Sequence, residues 1–420
     1  MTFTYRCLGV VFLFGTPILL SCLLWIDVHI PETGIEAEWG NDSSYTLKKL
    51  SSLGKPVVLT KTPFDLWTTS QWTPRLLRDK HVPFILAKQG RDNVFKYYAL
   101  NQPLTTAPVV VPFKDVIVPG DAFFELMETP GDSHFYASGD INLLKLDGLY
   151  TDDLLKEVTF PLRIGQTQVN FWFSTTNVTA YTHYDTSDNL HVVIYGKKKF
   201  LFFPPSAHLQ LKPYPCLHQL YRQTQVDVLQ FGAPLAPIEV TVSPGQVLYI
   251  PPYWFHCVIS METSISLNVW SNSDAFAIME KVYHAPIPFE EDWGKVKLMK
   301  VLQYYVGLLV NTTANVRLAD FIRETVYSRY ETILKTGAFL EEGTRSHLQF
   351  CLTDAPSDIL SAESIRRIHG QHNMTSALLL DIHPLAVRHI NLGNYIEHLA
   401  WRILGDKDLV QLPFFLECFN

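Results

Sequence analysis

Apolar residues along this chain follow three rhythms, and each predicts a different kind of structure. From Cys7 to Ile26 twenty consecutive residues carry no charge and are rich in Leu, Val, Phe and Ile. That is about the length needed to cross a bilayer. Residues 27–49 then read as a polar stem. From Lys55 the pattern becomes globular: Pro56–Thr60 reads as a short strand, and Trp72–Leu77 opens a helix with proline in its first turn. Short apolar strands recur at Pro83–Leu86, Val109–Val111 and Val169–Phe173, and Asp121–Met127 reads as a helical turn that packs Phe123, Phe124 and Leu126. Between about 160 and 272, runs of β-branched and aromatic residues are separated by Gly and Pro turns, at His191–Tyr195, Lys199–Phe203, Ile238–Val242, Gln246–Ile250 and Ser264–Trp270. Many short antiparallel strands predict a sandwich or barrel. After Asp274 the apolar spacing turns helical, at Lys295–Leu309, Leu318–Leu334, Ala362–His369 and Tyr395–Leu404.

This gives a mainly β chain with α elements. Its expected division is a cytosolic stub and transmembrane anchor (1–26), a stem (27–49), a β-rich domain (50–275) and a helical C-terminal region (276–420). Arg6 precedes the apolar run, and Asp27, Glu32, Glu36 and Glu38 follow it. The positive-inside bias then places the N-terminus in the cytosol and the bulk of the chain on the lumenal side, a single-pass type II membrane protein facing the endoplasmic reticulum or Golgi lumen. Secretion after cleavage of a signal peptide is the competing expectation. Four glycosylation sequons, at Asn41, Asn177, Asn311 and Asn373, agree with export. Outside the apolar run lie Cys216, Cys257, Cys351 and Cys418, enough for two disulfides with three pairings open.

Net charge is −7, and Lys197-Lys198-Lys199 is the only conspicuous basic block. No electrostatic footprint for nucleic acid is present, so none is expected as a partner. The candidate chemistry lies in the β-rich part. His183-Tyr184-Asp185 is the one H-x-[DE] among fifteen histidines. On a strand, residues i and i+2 face the same way, so His183 and Asp185 can share a metal. His256 follows a turn, a strand and the Pro251-Pro252 corner some seventy residues on. Two imidazoles and one carboxylate form the facial ligand set of a non-heme Fe(II) oxygenase, with positions open for substrate and O2. No C-x-x-C, G-x-S-x-G, P-loop or G-x-G-x-x-G occurs.

These residues carry a family resemblance. Asn170–Pro205 and Ser243–Ser271 resemble the JmjC, or cupin-like, 2-oxoglutarate oxygenases, in the hydroxylase branch that includes the asparaginyl hydroxylase of hypoxia-inducible factor. The stretch Gly54–Leu59 with Trp67 and Trp72 is similar to that branch's N-terminal region, so the resemblance covers roughly residues 50–275. It implies a double-stranded β-helix (jelly-roll or cupin) core. It implies His183, Asp185 and His256 as iron ligands. Lys198 falls at the position that pairs with the far carboxylate of 2-oxoglutarate. Asn189 and Asn268 match positions at the cosubstrate, Tyr136 matches a pocket hydroxyl, and Thr182 lies near them. One departure is Ala180, where the branch has Ser or Thr against the cosubstrate carboxylate.

The resemblance therefore implies an Fe(II)- and 2-oxoglutarate-dependent dioxygenase, using O2, that hydroxylates a protein side chain in the secretory pathway. Its C-terminal helices are expected to form a homodimer or to shape the substrate groove. Two alternatives compete: a catalytically inactive cupin-like lumenal scaffold, favoured by Ala180, and a protein lysine or arginine demethylase.

Overall fold

A computed structural model describes residues 35–38, 50–99, 102–104, 111–129, 131–145, 167–230, 235–290, 292–335, 351, 355–405 and 412–419. The elements in chain order begin with β1 (Ile35–Glu38), β2 (Val57–Thr60), α1 (Pro74–Asp79), β3 (Phe84–Gly90), β4 (Val94–Phe95), β5 (Phe113–Pro119), α2 (Gly120–Glu128) and β6 (His134–Asp140). Then come β7 (Thr167–Ser174), β8 (Thr179–His183), β9 (Ser187–Tyr195), β10 (Lys198–Phe203), β11 (Ile238–Val242), β12 (Val247–Ile250), β13 (Phe255–Ser260) and β14 (Ser264–Asn272). The main C-terminal helices are α3 (Asp274–His284), α4 (Lys295–Thr313), α5 (Ala362–Leu380) and α6 (Leu385–Leu404).

From β7 onward the chain passes back and forth between two sheets. The larger runs β1-β2-β12-β9-β14-β7-β6-β3-β5, and the smaller runs β11-β10-β13-β8-β4. The eight strands β7–β14 form the jelly roll, four in each sheet, and the N-terminal strands extend both. The sheets face one another: the His191 ring on β9 lies 5.2 Å from Phe200 on β10. The Ser174 hydroxyl on β7 also meets that of Ser260 on β13 at 2.7 Å.

Side-chain alternation explains what fills the space between the sheets. β14 reads Ser264-Ile265-Ser266-Leu267-Asn268-Val269, so one face is polar and the other apolar. Its apolar set joins Phe171, Phe173, Leu190, Val192, Trp72, Phe123 and Phe124 in a core on the outer side of the larger sheet. The polar set therefore turns inward. The smaller sheet buries Leu201, Phe203, Phe255 and Cys257 on its own outer side, under Met299, Leu302, Tyr305, Ile396 and Leu399 of the C-terminal helices. Two apolar cores thus flank a partly polar interior.

Thr73 caps α1 by accepting from the Leu76 amide, with Pro74 in the first turn as expected. Several boundaries differ from the sequence reading. Ile35–Glu38, inside the expected stem, is an edge strand paired in parallel with β2. Leu318–Leu334 is not one helix but a turn of helix, a π segment Ile322–Val326, a 3-10 turn Tyr327–Arg329 and a short helix Glu331–Lys335. Helix α3 starts at Asp274, and the outer core of the smaller sheet runs across that point.

Among the described residues no helix is long and apolar enough to cross a membrane. The segment Cys7–Ile26 expected as an anchor lies outside the described residues, as do Asn41 and residues 109–110 of an expected strand. Of the open cysteine pairings the structure has Cys351–Cys418, while Cys216 and Cys257 are free thiols.

Candidate metal centre

β8 and β13 are antiparallel neighbours with His183 directly opposite His256. Their imidazole centroids are 4.3 Å apart. Asp185 follows β8, and its backbone carbonyl accepts from the Tyr253 amide at 2.7 Å. Tyr253 holds a left-handed backbone (φ 65°) at the Pro251-Pro252 corner, which turns the chain into β13 and His256. One ligand atom from each of His183, Asp185 and His256 falls within 4.8 Å of the others.

The hydrogen bonds around these rings suit metal binding. With Nδ1 protonated, His183 donates to the Tyr181 carbonyl (2.7 Å) and His256 to the Trp254 carbonyl (2.9 Å). Such partners fix the tautomer and leave each Nε2 lone pair facing the site. His256 Nε2 lies 3.9 Å from Asp185 Oδ2. Burial, with His183 alongside, pulls His256 down to about 4, so it is neutral near pH 7. Burial alone would raise Asp185, but His183, His256 and Arg222 together hold its carboxyl below the usual range. A neutral imidazole and an ionised carboxylate are what a divalent metal requires. The donor set fits such an ion.

Between the opposed pairs His183/His256 and Ala180/Val258, β8 carries one residue more than β13. This bulge re-aims the side chains before the histidine. Ala180 and His183, which a strict two-residue period would turn to opposite faces, both line one cavity of about 320 Å3. Tyr136, Trp172, Asp185, Arg222 and Trp270 line it too. Thr182 does not: its hydroxyl lies beside the Cys257 thiol. Thr182, expected among the cosubstrate contacts, instead faces the outer core, the side that alternation from the adjacent His183 gives it.

The other residues singled out by sequence lie in or around the polar interior. Tyr136 stacks on Trp172, 5.7 Å between centroids. Trp172 Nε1 donates to Asn268 Oδ1 (2.8 Å), and Asn268 Nδ2 donates to Asn189 Oδ1 (3.2 Å). Of the three lysines, Lys197 pairs with Glu262 and Lys199 with Glu239 at the surface. Lys198 alone turns inward and is 3% exposed. Burial pulls its amine down to about 7, and no ion pair to it occurs among the described residues. His191 Nε2, Ser266 Oγ and Trp270 Nε1 are also buried without a hydrogen-bond partner. A buried lysine amid unsatisfied polar atoms fits an anionic, oxygen-rich small molecule. Lys198, Asn189 and Asn268 stand behind the cavity wall rather than in it.

Sequence reasoning missed Arg222, whose Nη1 lies 3.6 Å from Asp185 Oδ1. It sits in an irregular connection, with a left-handed backbone (φ 70°) and no periodicity to mark it. Trp172 and Trp270 were readable as inward-facing strand positions by their parity with Asn170 and Asn268.

Residues 43–275 match the family described as cupin-like domain. Three curated relatives match part of the chain. The bifunctional peptidase and (3S)-lysyl hydroxylase JMJD7 of Homo sapiens is 32% identical over 129 residues, 24% of this chain and 40% of that protein. Lysine-specific demethylase JMJ31 of Arabidopsis thaliana is 31% identical over 120 residues, 26% of this chain and 22% of that protein. tRNA wybutosine-synthesizing protein 5 of Homo sapiens is 34% identical over 112 residues, 24% of this chain and 32% of that protein. The matched segment thus spans less than half the length of each relative.

Proposed function

Since the chain belongs to the JmjC/cupin-like family, we propose that it is an Fe(II)- and 2-oxoglutarate-dependent dioxygenase acting on a protein side chain in the secretory pathway. The observation that carries this reading is the convergence of His183, Asp185 and His256, with both Nε2 atoms directed to one point at the wall of a cavity. When bound, iron supplies the oxidation that converts 2-oxoglutarate and O2 to succinate and CO2 while a substrate C–H becomes C–OH. His183, Asp185 and His256 would hold the ion, and Arg222 would keep the Asp185 carboxylate oriented. Lys198 would neutralise the far carboxylate of 2-oxoglutarate, with Tyr136, Asn189 and Asn268 shaping its surroundings. Trp172 and Trp270, which line the cavity, would limit the water beside the metal. Hydroxylation is favoured by the motifs shared with the asparaginyl hydroxylase of hypoxia-inducible factor and by the lysyl hydroxylase named among the relatives.

A lumenal type II placement is part of the proposal. Its supports are the uncharged run Cys7–Ile26, the Cys351–Cys418 disulfide, and the exposed sequon residues Asn177, Asn311 and Asn373. A homodimer through the C-terminal helices belongs to the same reading.

Ala180 on the cavity wall favours a second reading, a scaffold that keeps the metal ligands without turnover. Calorimetry separates the two. The Mn(II)-loaded protein is expected to bind one 2-oxoglutarate, and His183→Ala to abolish metal-dependent binding. Metal binding with no 2-oxoglutarate binding would put the scaffold first.

A further inference from the structure

The metal cavity does not end at its own walls. Tyr97, Tyr221 and Arg222 line it and also line a second cavity of about 380 Å3. Gln102, Tyr221 and Tyr283 are shared in turn between that cavity and a third of about 440 Å3. The three form one groove, with Tyr221 as common wall. Its near side is formed by Tyr97, Ala99, Gln102 and Pro103; its far side is built by α3 and α6 of the C-terminal region.

The far end is aromatic. Tyr283 meets His398 edge-on at 5.0 Å between centroids, and His398 lies 5.5 Å from Trp401. Half-buried Cys216 and buried Leu217 make the floor. The same helix fixes the common wall: Asn394 of α6 donates through Nδ2 to the Tyr221 hydroxyl at 3.4 Å. One turn of α6 therefore holds Tyr221, and the next presents His398 and Trp401 to the groove.

We propose that this groove binds an extended polypeptide, with one residue at the metal and a flanking bulky apolar or aromatic side chain in the cavity between Cys216, Tyr283 and Trp401. Tyr, Trp and Arg are the residues that dominate protein-binding surfaces. The side-chain amide of Gln102, shared by the two outer cavities, offers both a donor and an acceptor to an extended backbone. A nucleic acid would also stack on these rings, but its phosphates need a line of cations. The three cavities together carry Lys88, Lys96 and Arg222 against Asp185 and Glu280, with Lys88 already paired to Asp115, in a chain of net charge −7. The C-terminal helices thus recognise substrate as well as pack against the barrel. This inference rests on the oxygenase reading only for the residue placed at the metal.

The test selects binders to the full-length chain from a display library of random dodecapeptides, with a dodecamer RNA as competitor. Selected peptides are expected to share a bulky apolar or aromatic residue and to lose affinity about tenfold or more with Trp401→Ala. Glu280→Lys, an exposed change that leaves the core untouched, is expected to shift the selected sequences toward acidic residues. Peptide binding that survives both substitutions, no selected peptide at all, or RNA bound more tightly than every peptide would each overturn the groove. Peptides sensitive to both changes uphold it even if Mn(II) and 2-oxoglutarate fail to bind, an outcome that would instead sink the oxygenase reading.

Discussion

Lys198 is the residue whose charge depends most on what shares the barrel with it. Its amine is buried and drawn down to about 7, against an ordinary 10.5. Because the unfolded chain holds the proton up to the higher value, ligand-free stability should rise with pH between about 7 and 10.5. A bound carboxylate reverses the local balance and favours the charged amine. Binding of 2-oxoglutarate should then take up a proton above pH 7, and affinity should fall as pH rises from 7 toward 9. Calorimetry in buffers of different ionisation enthalpy measures that uptake; Lys198→Met should weaken binding and flatten the pH dependence. A pH-independent affinity in the native protein would remove Lys198 from the role. At this scale the sequence was most informative where chemistry and parity coincide. His183 and Asp185 are two apart on a strand, and Lys198 is the inward member of an alternating triplet. Alternation from His183 already turns Thr182 away from the site, whereas Ala180 comes inward only through the extra residue in β8, and a bulge leaves no compositional mark.

Helix α6 shows how an element can govern a site it does not contain. Along one face, Asn391 Oδ1 accepts from the Tyr253 hydroxyl (2.9 Å) and Asn394 holds Tyr221. On that face too, Glu397 accepts from the Cys216 amide (2.8 Å) and pairs with Arg329 at 2.7 Å. The glutamate and arginine side chains are 0% and 4% exposed. Burial pushes the Glu397 carboxyl up in spite of the guanidinium beside it. Removing one member of such a pair leaves the other charge uncompensated, so Glu397→Ala should cost about 3–5 kcal/mol in urea unfolding. The double change Glu397→Leu with Arg329→Met should recover most of that loss. A double variant as unstable as the single would contradict the charge argument. Helix α6 could be expected only at Tyr395–Leu404, because its first half carries Arg388, Asn391 and Asn394 at positions that turn out to be buried. Buried polar residues imitate a solvated face until their partners are known.

For the whole molecule, the organising fact is the inward turn of polar side chains between two apolar cores. Individual strands were legible as alternating runs, but which face meets water depends on what covers the other. Helix α2, through Phe123 and Phe124, and the C-terminal helices over Phe203 and Phe255 supply those covers, so the apolar faces point out and the polar faces enclose a site. Parity alone is symmetric between the two choices; the metal ligands and Lys198 broke the tie. The most direct test of the oxygenase reading is succinate formation from 2-oxoglutarate by the purified full-length chain with Fe(II) and O2, native against His183→Ala. Succinate that requires Fe(II) and disappears in His183→Ala is the predicted result. No succinate from the native chain, or the same amount from both proteins, would contradict it.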